Sequence, residues 1–438
     1  MDVVSYLLIP FQQPMLILLT AIGTFAGVYV GAIPGLSATM AVSLLVSFTY
    51  GWGTYEALAL MLGIFVGTVY GGSRSAILLN IPGAPSAVAT ALDGYPMALK
   101  GEAGRAMGIA TTQSVIGTVL GIGVLAAAAP AVSKFAVNFS SVDYLLLAMM
   151  GMMMVGSLNC KSIFRGLLAA AVGLFFGTIG MDNMTAVRRF TFGVSYLNSG
   201  VSFVVAMIGL FGVSEALIQL TSLDVKGVKQ KVDKIVPSLD TIVKYIPLTI
   251  RSSLVGVIVG ALPGAGGDIA ALLTYDQAKR TVKNPEVPFG EGAVEGLVAP
   301  ESANNAAIGG AFIPMLTLGI PGDAVTAVLL GALQIHGLQP GPNLMKSSPD
   351  LFYLIVSILL VASVFLVVFG LTGVKLFAKI VEVPKSILMP LIIILSVVGS
   401  FALRKSLFDI FWMLGFGILG YFMKRYDYPV APCVLGII

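Results

Sequence analysis

Repeated apolar runs of about 18–20 residues constrain this chain more than any other feature, because that is the length a helix needs to cross hydrocarbon. Such runs lie near 15–33, 36–50, 55–72, 106–130, 143–159, 163–180, 200–222, 246–262, 304–338, 350–371, 387–403 and 407–423. The stretch 304–338 is long enough for two segments broken at its centre, and a further run opens at Val430. Composition agrees: 57% of the 438 residues are hydrophobic and 11% are charged, against about 25% charged in soluble domains. The reading is an all-α polytopic membrane protein with about eleven or twelve membrane segments. It excludes a nucleic-acid binder, a secreted disulfide scaffold and a soluble Rossmann enzyme.

The two cysteines, Cys160 and Cys433, lack metal spacing, and a single histidine, His336, leaves no ligand set for a metal or haem; no cofactor is expected. The N-terminus lacks a basic region and cleavage site, so the first run reads as a retained span. The methionines of 149–154 read as packing. The most cationic interval is 223–251, with Lys226, Lys229, Lys231, Lys234, Lys244 and Arg251. It reads as a cytoplasmic connection between a first half, 1–222, and a second half, 252–438. The interval 276–295 is a second polar loop.

The halves carry matching landmarks. Gly31-Ala-Ile-Pro-Gly35 corresponds to Gly260-Ala-Leu-Pro-Gly264, and Asn80-Ile-Pro-Gly83 to Gly319-Ile-Pro-Gly322, in the same order. Proline removes a backbone donor and glycine opens left-handed conformations, so the four Pro-Gly pairs predict four interrupted or re-entrant helices. Backbone groups freed at membrane depth must face protein or a watery cavity. Paired breaks in two halves mark the binding site of a transporter, with inverted repeats and an elevator-like motion as the preferred form.

Small polar residues crowd the breaks. The substrate set is Gly35, Ser37, Thr39, Asn80, Pro82, Gly83, Gly264, Gly266, Gly267, Asn304, Asn305, Pro321 and Gly322. Hydroxyls, amides and helix N-termini bind carboxylates without fixed positive charge. Asp268, Glu301, Ser302 and Asp323 form the cation set, because carboxylate and hydroxyl oxygens suit a hard cation such as Na⁺ and intramembrane carboxylates are functional by default. Arg74 reads either as a partner for a substrate carboxylate or as an interfacial arginine. Glu56, Asp143, Glu215 and Asp409 lie near segment ends and read as ordinary flanking carboxylates, and His336 as a loop residue.

Through Gly31-Ala-Ile-Pro-Gly-Leu-Ser37, Gly260-Ala-Leu-Pro-Gly-Ala-Gly-Gly-Asp268, Ala299-Pro-Glu-Ser-Ala-Asn-Asn305 and Gly319-Ile-Pro-Gly-Asp323, the whole chain resembles the TctA-type large membrane subunit of the tripartite tricarboxylate transporters. The resemblance implies a secondary transporter of the bacterial inner membrane that imports citrate-like carboxylates on an ion gradient. It also implies a small TctB-type membrane subunit of about four spans, a periplasmic TctC-type solute-binding protein, and a homo-oligomer if the motion is elevator-like. Family members continue past Leu435-Gly-Ile-Ile438, so the resemblance further implies a chain that stops short. The residues leave Na⁺ and H⁺ both open as coupling ions. A membrane enzyme lacks its catalytic cluster here, a channel would not need repeated breaks, and an assembly subunit would bind no substrate.

Overall fold

The computed structural model describes residues 3–33, 36–140, 162–182, 185–221, 239–372 and 385–437, together with Ile235, Pro237 and scattered positions between 142 and 153. Nearly every predicted apolar run becomes a helix. In chain order the main helices are α1 (Pro14–Ala32), α2 (Ala38–Phe48), α3 (Thr54–Leu79), α4 (Ala87–Leu99), which no predicted run covers, α5 (Ala103–Ala136) and α6 (Ile163–Gly177). A small antiparallel hairpin follows, β1 (Gly180–Met181) with β2 (Arg188–Arg189). Then come α7 (Phe203–Thr221), α8 (Leu239–Gly260), α9 (Gly266–Thr281), α10 (Glu295–Leu318), α11 (Ala324–Ile335), α12 (Pro349–Thr372), α13 (Lys385–Arg404), α14 (Leu407–Arg425) and α15 (Val430–Ile437).

Seven of the described helices, α1, α3, α5, α7, α8, α12 and α14, are long and apolar enough to cross a membrane. The expected eleven or twelve segments include shorter pieces. The run 36–50 yields a helix of only 11 residues, which at about 1.5 Å per residue falls well short of a bilayer core of about 30 Å. The run 304–338 divides as read, into α10 and α11. The cationic interval 223–251 is helical from Leu239 onward, so Lys244 and Arg251 sit on α8; Lys226, Lys229, Lys231 and Lys234 lie outside the described residues, as do Pro34, Gly35 and most of 143–161. Likewise Asp276, Lys279 and Arg280 belong to the polar end of α9.

Close packing without a hydrophobic driving force needs small residues, and glycine supplies them. Cβ atoms on Gly23, Gly27 and Gly31 of α1 would fall 2.4, 2.4 and 2.2 Å from the carbonyl oxygens of Leu60, Ile64 and Thr68 on α3. Gly63, Gly67 and Gly71 meet Thr20, Thr24 and Val28 in return. In the second half Gly256 and Gly260 of α8 lie equally close to Ala303 and Ala307 of α10. Helix α10 is the most enclosed element: every residue from Glu295 to Thr317 is buried. Its far side meets the first half, where Gly117 and Gly121 of α5 press on Ser302 and Ala306.

The second break of each half ends its helix in the same way. Asn80 closes α3 in the left-handed conformation, φ 55°, with its amide on Ala76 O and that of Ile81 on Ser75 O. Gly319 closes α10 at φ 73°, with its amide on Met315 O and that of Ile320 on Pro314 O. Both are αL closures, in which the amide of the left-handed residue satisfies one of the last carbonyls of the helix. Gly83 then presses on the carbonyl of Gly31, and Gly322 on that of Gly260, with Cβ positions 2.1 and 2.4 Å from the oxygens.

Candidate functional site

Each break is followed, within a few residues, by a new helix, and four of these helices begin at one cavity of about 350 Å³. Helix α2 starts after Ser37, whose hydroxyl accepts from the Met40 amide at 3.2 Å. Helix α4 starts after Ser86, and α9 at Gly266 with Asp268 in its first turn. Helix α11 starts after Asp323 in a capping box: the carboxylate accepts from the Thr326 amide at 2.7 Å while the Thr326 hydroxyl accepts from the Asp323 amide at 2.9 Å. All four starts line the cavity, through Ser37–Thr39, Ser86, Gly266–Asp268 and Asp323–Val325.

The sequence explains how these ends converge. Gly264 and Gly266 take φ values of 76° and 61°, a region that glycine enters freely, and so turn the chain from α8 into α9. Gly267 has no side chain because Asn304 occupies the space; a Cβ there would lie 2.1 Å from the Asn304 Oδ1. Asn304 in turn lines the cavity from α10. Apolar walls come from Phe65 on α3 and from Phe211, which lies in a π-helical turn of α7 (Ile208–Val213); such turns recur at functional sites. A further wall is Lys424 near the end of α14 with Tyr428–Ala431, which lead into α15.

Of the predicted substrate residues, Ser37, Thr39, Gly264, Gly266, Gly267 and Asn304 therefore share one cavity, with Asp268 and Asp323 of the cation set. Asn80, Pro82 and Gly83 do not line it: that break places Ala84–Ser86 at the wall instead. Pro321 lines a narrow crevice beside the cavity, together with Phe211 and Ala431. Gly322 packs behind, its carbonyl accepting from the Gly264 amide. Glu301, Ser302 and Asn305 are buried on other faces of α10. Gly35 lies outside the described residues. Arg74 is fully buried and donates to the carbonyls of Phe369 and Gly370 in the last turn of α12, at 2.7 and 2.6 Å; it takes up carbonyls that the end of a helix leaves unpaired.

Sequence reasoning missed Lys424 and Glu215. Lys424 ends an apolar run and looks like an interfacial cation, and Glu215 like a flanking carboxylate. Folded, they pair at 2.7 Å, with Lys424 lining the cavity and Gln219 Nε2 donating to the other Glu215 oxygen at 3.0 Å. Asp409, also read as flanking, is fully buried and accepts from the Tyr196 hydroxyl.

Each helix N-terminus presents unpaired amides and about half a positive charge. The starts of α2, α4 and α9 bring partial positive charge to the cavity, while the Asp323 carboxylate already caps α11 and the Lys424 ammonium is paired with Glu215; Asp268 and Asp323 are the carboxylates of its lining. Ser86 faces the Asp268 carboxylate, which itself lies near Asp323. Such a wall can hold a multiply charged carboxylate and a small cation side by side.

Residues 17–435 match the family described as Tripartite tricarboxylate transporter TctA family. A protein of Agrobacterium vitis described as an uncharacterized 52.8 kDa protein in the TAR-I ttuC' 3'region is 36% identical over 443 residues, taking in 100% of this chain and 88% of that protein. Another from Agrobacterium vitis, described as an uncharacterized protein in the TAR-II ttuC' 3'region, is 39% identical over 183 residues, 42% of this chain and 75% of that protein. No solved structure matches. With a multi-pass helical architecture and a family match across nearly its whole length, the chain belongs to the tripartite tricarboxylate transporter TctA family.

Proposed function

We propose that this chain is the translocating subunit of a secondary carrier that imports a citrate-like tricarboxylate, or a related carboxylate, across the bacterial inner membrane. The observation that carries the reading is the convergence of four helix N-termini and Lys424 on one cavity. Substrate carboxylates sit against the amides and hydroxyls at Ser37, Thr39, Ser86 and Gly266–Gly267. Uptake is coupled to a cation, Na⁺ rather than H⁺, held by the carboxylates of Asp268 and Asp323 near the substrate. A hard monovalent cation beside a polyanion lowers the charge that has to cross the low-dielectric interior.

The halves 1–222 and 252–438 act as repeats of opposite orientation, joined through the 223–251 region. The matching closures at Asn80 and Gly319, and the matching contacts Gly83–Gly31 and Gly322–Gly260, support the repeat itself. Alternating access is elevator-like: the broken-helix core with its cavity moves against the remaining helices. A periplasmic solute-binding protein delivers the substrate and a small membrane subunit of about four spans completes the complex, in keeping with the tripartite family. H⁺ in place of Na⁺ is the alternative coupling, since a carboxylate such as Asp268 can carry either.

The test is uptake of labelled citrate and other carboxylates into proteoliposomes containing this chain and its small membrane subunit, with the binding protein outside. Uptake that requires an inward Na⁺ gradient and fails in Asn304→Ala is expected. Uptake driven equally by a pH gradient without Na⁺ overturns the coupling ion, and no carboxylate uptake under either gradient overturns the reading.

A further inference from the structure

The geometry points to a second cation site outside the cavity, with Glu301 as its anionic ligand and Na⁺ as its occupant. This rests on the cation-coupled reading above and gives it a second ion. Glu301 is 1% exposed in α10 and faces α4 and α5. The Thr90 hydroxyl donates to its Oε1 at 2.5 Å and the Ser114 hydroxyl to its Oε2 at 2.8 Å. Ser73 of α3 faces the same carboxylate. Among the described residues no basic side chain neutralises it. Arg74, next to Ser73, is turned onto the α12 carbonyls.

A carboxylate can be purely structural, and Asp93, one turn along α4 from Thr90, shows what that looks like. Its Oδ1 accepts from the amides of Gly290, Gly292 and Ala293 at 2.8–2.9 Å and its Oδ2 from the Tyr275 hydroxyl at 2.8 Å. The Glu301 surroundings differ because they contain unfilled acceptors. Asn305 Oδ1 and Ser73 Oγ are buried without a hydrogen-bond partner. Asn305 lies one turn after Glu301 on the same helix face. Its Nδ2 donates to the Glu301 backbone carbonyl at 3.0 Å, which leaves Oδ1 as the open group. A proton on Glu301 would cancel the charge but bring a single O–H, which satisfies only one of the two open oxygens. A cation answers both, and a carboxylate, an amide oxygen and three hydroxyls are the hard oxygen donors that Na⁺ takes.

The position gives such an ion a consequence for substrate. Thr90 is one turn from Ser86, and Asn305 is adjacent to Asn304; Ser86 and Asn304 both line the cavity. An ion bridging Thr90 and the 301–305 turn therefore fixes the first turn of α4 against α10 and orders two walls of the cavity. Na⁺ bound there raises substrate affinity without touching the substrate, and the coupling is reciprocal.

The test uses the purified full chain in detergent without substrate, with thermal unfolding and ²²Na⁺ binding followed as NaCl replaces KCl at constant ionic strength. The wild type and Asp268→Asn are expected to be stabilised by Na⁺, and Glu301→Gln to bind at least about tenfold more weakly. If Glu301→Gln does not fold, Thr90→Val and Ser114→Ala are each expected to weaken Na⁺ binding. An unchanged Na⁺ response in Glu301→Gln, or in both hydroxyl variants, overturns the site. A response lost in Asp268→Asn but kept in Glu301→Gln overturns it while leaving cation coupling at the cavity intact. No Na⁺ response in the wild type, together with Na⁺-independent uptake, overturns both.

Discussion

The Gly264 amide donates to the Gly322 carbonyl at 2.8 Å, so the break that ends α8 is hydrogen-bonded to the break that separates α10 from α11. Gly264 lines the cavity and Gly322 stands behind it. Their work is to bring Gly266–Asp268 and Asp323–Val325, which follow the two breaks, to the same cavity. Gly322 sits so close to its surroundings that a Cβ would lie 2.4 Å from the Gly260 oxygen and 2.5 Å from the Ala311 Cα. Gly83 has the same relation to the Gly31 oxygen and the Gly72 Cα, at 2.1 and 2.7 Å.

Gly322→Ala and Gly83→Ala should each destabilise the protein by about 1–3 kcal/mol, the usual range for overpacking against atoms that cannot move aside. Thermal unfolding in detergent reads the effect. Gly51→Ala is the control, because nothing lies within 4 Å of a Cβ there, and its unfolding midpoint should stay where the wild type's is.

Lys424→Met should raise the KM for a tricarboxylate about tenfold or more, the range of a lost charge-assisted hydrogen bond, and raise that for a dicarboxylate less. Proteoliposome uptake with both substrates measures this, with Glu215→Gln alongside. Removing Glu215 frees the ammonium group from its 2.7 Å partner, so that variant should bind the tricarboxylate no worse than the wild type. Equal losses for both substrates in Lys424→Met would remove Lys424 from the site.

Arg74→Met should lower the unfolding midpoint and leave the substrate KM unchanged in the population that remains folded. Its guanidinium holds the last turn of α12 and stands over the Tyr70 ring, 5.2 Å from the centroid. A selective rise in KM would restore the sequence-based alternative in which Arg74 meets a substrate carboxylate.

Asp93→Asn should cost about 1–3 kcal/mol, since an amide in that place leaves buried groups mismatched. Tyr275→Phe removes one of the four donors and should cost less. Limited proteolysis between Val282 and Val294 offers a local readout, because three of those donors are the amides of Gly290, Gly292 and Ala293. Cleavage there should rise in Asp93→Asn before global unfolding does.

Much of this architecture was legible in the sequence. Apolar run length marks a helix without tertiary information, and Pro-Gly placed the split between α10 and α11 and the turn from α8 into α9. The face that each residue takes was less legible. Asn304 and Asn305 are identical in type and adjacent in sequence, yet about 100° apart around α10, so one lines the cavity and the other faces away. Asn80 looked like a binding residue because it is polar and beside a break, but its side chain type suits a left-handed helix closure equally well. Lys424 and Glu215 are 209 positions apart, and no local pattern links them.

The embrace of α10 by α5 has a consequence for how the protein is made. Gly117 and Gly121 are shaped for Ser302, Ala306 and Gly309, and a ribosome delivers those partners only after well over a hundred further residues. During synthesis α5 enters the bilayer with a bare glycine stripe and no helix to cover it. A nascent chain halted before α10 would therefore hold an unfinished surface in the lipid, exposed to quality-control proteases and to mispairing with other small-residue helices.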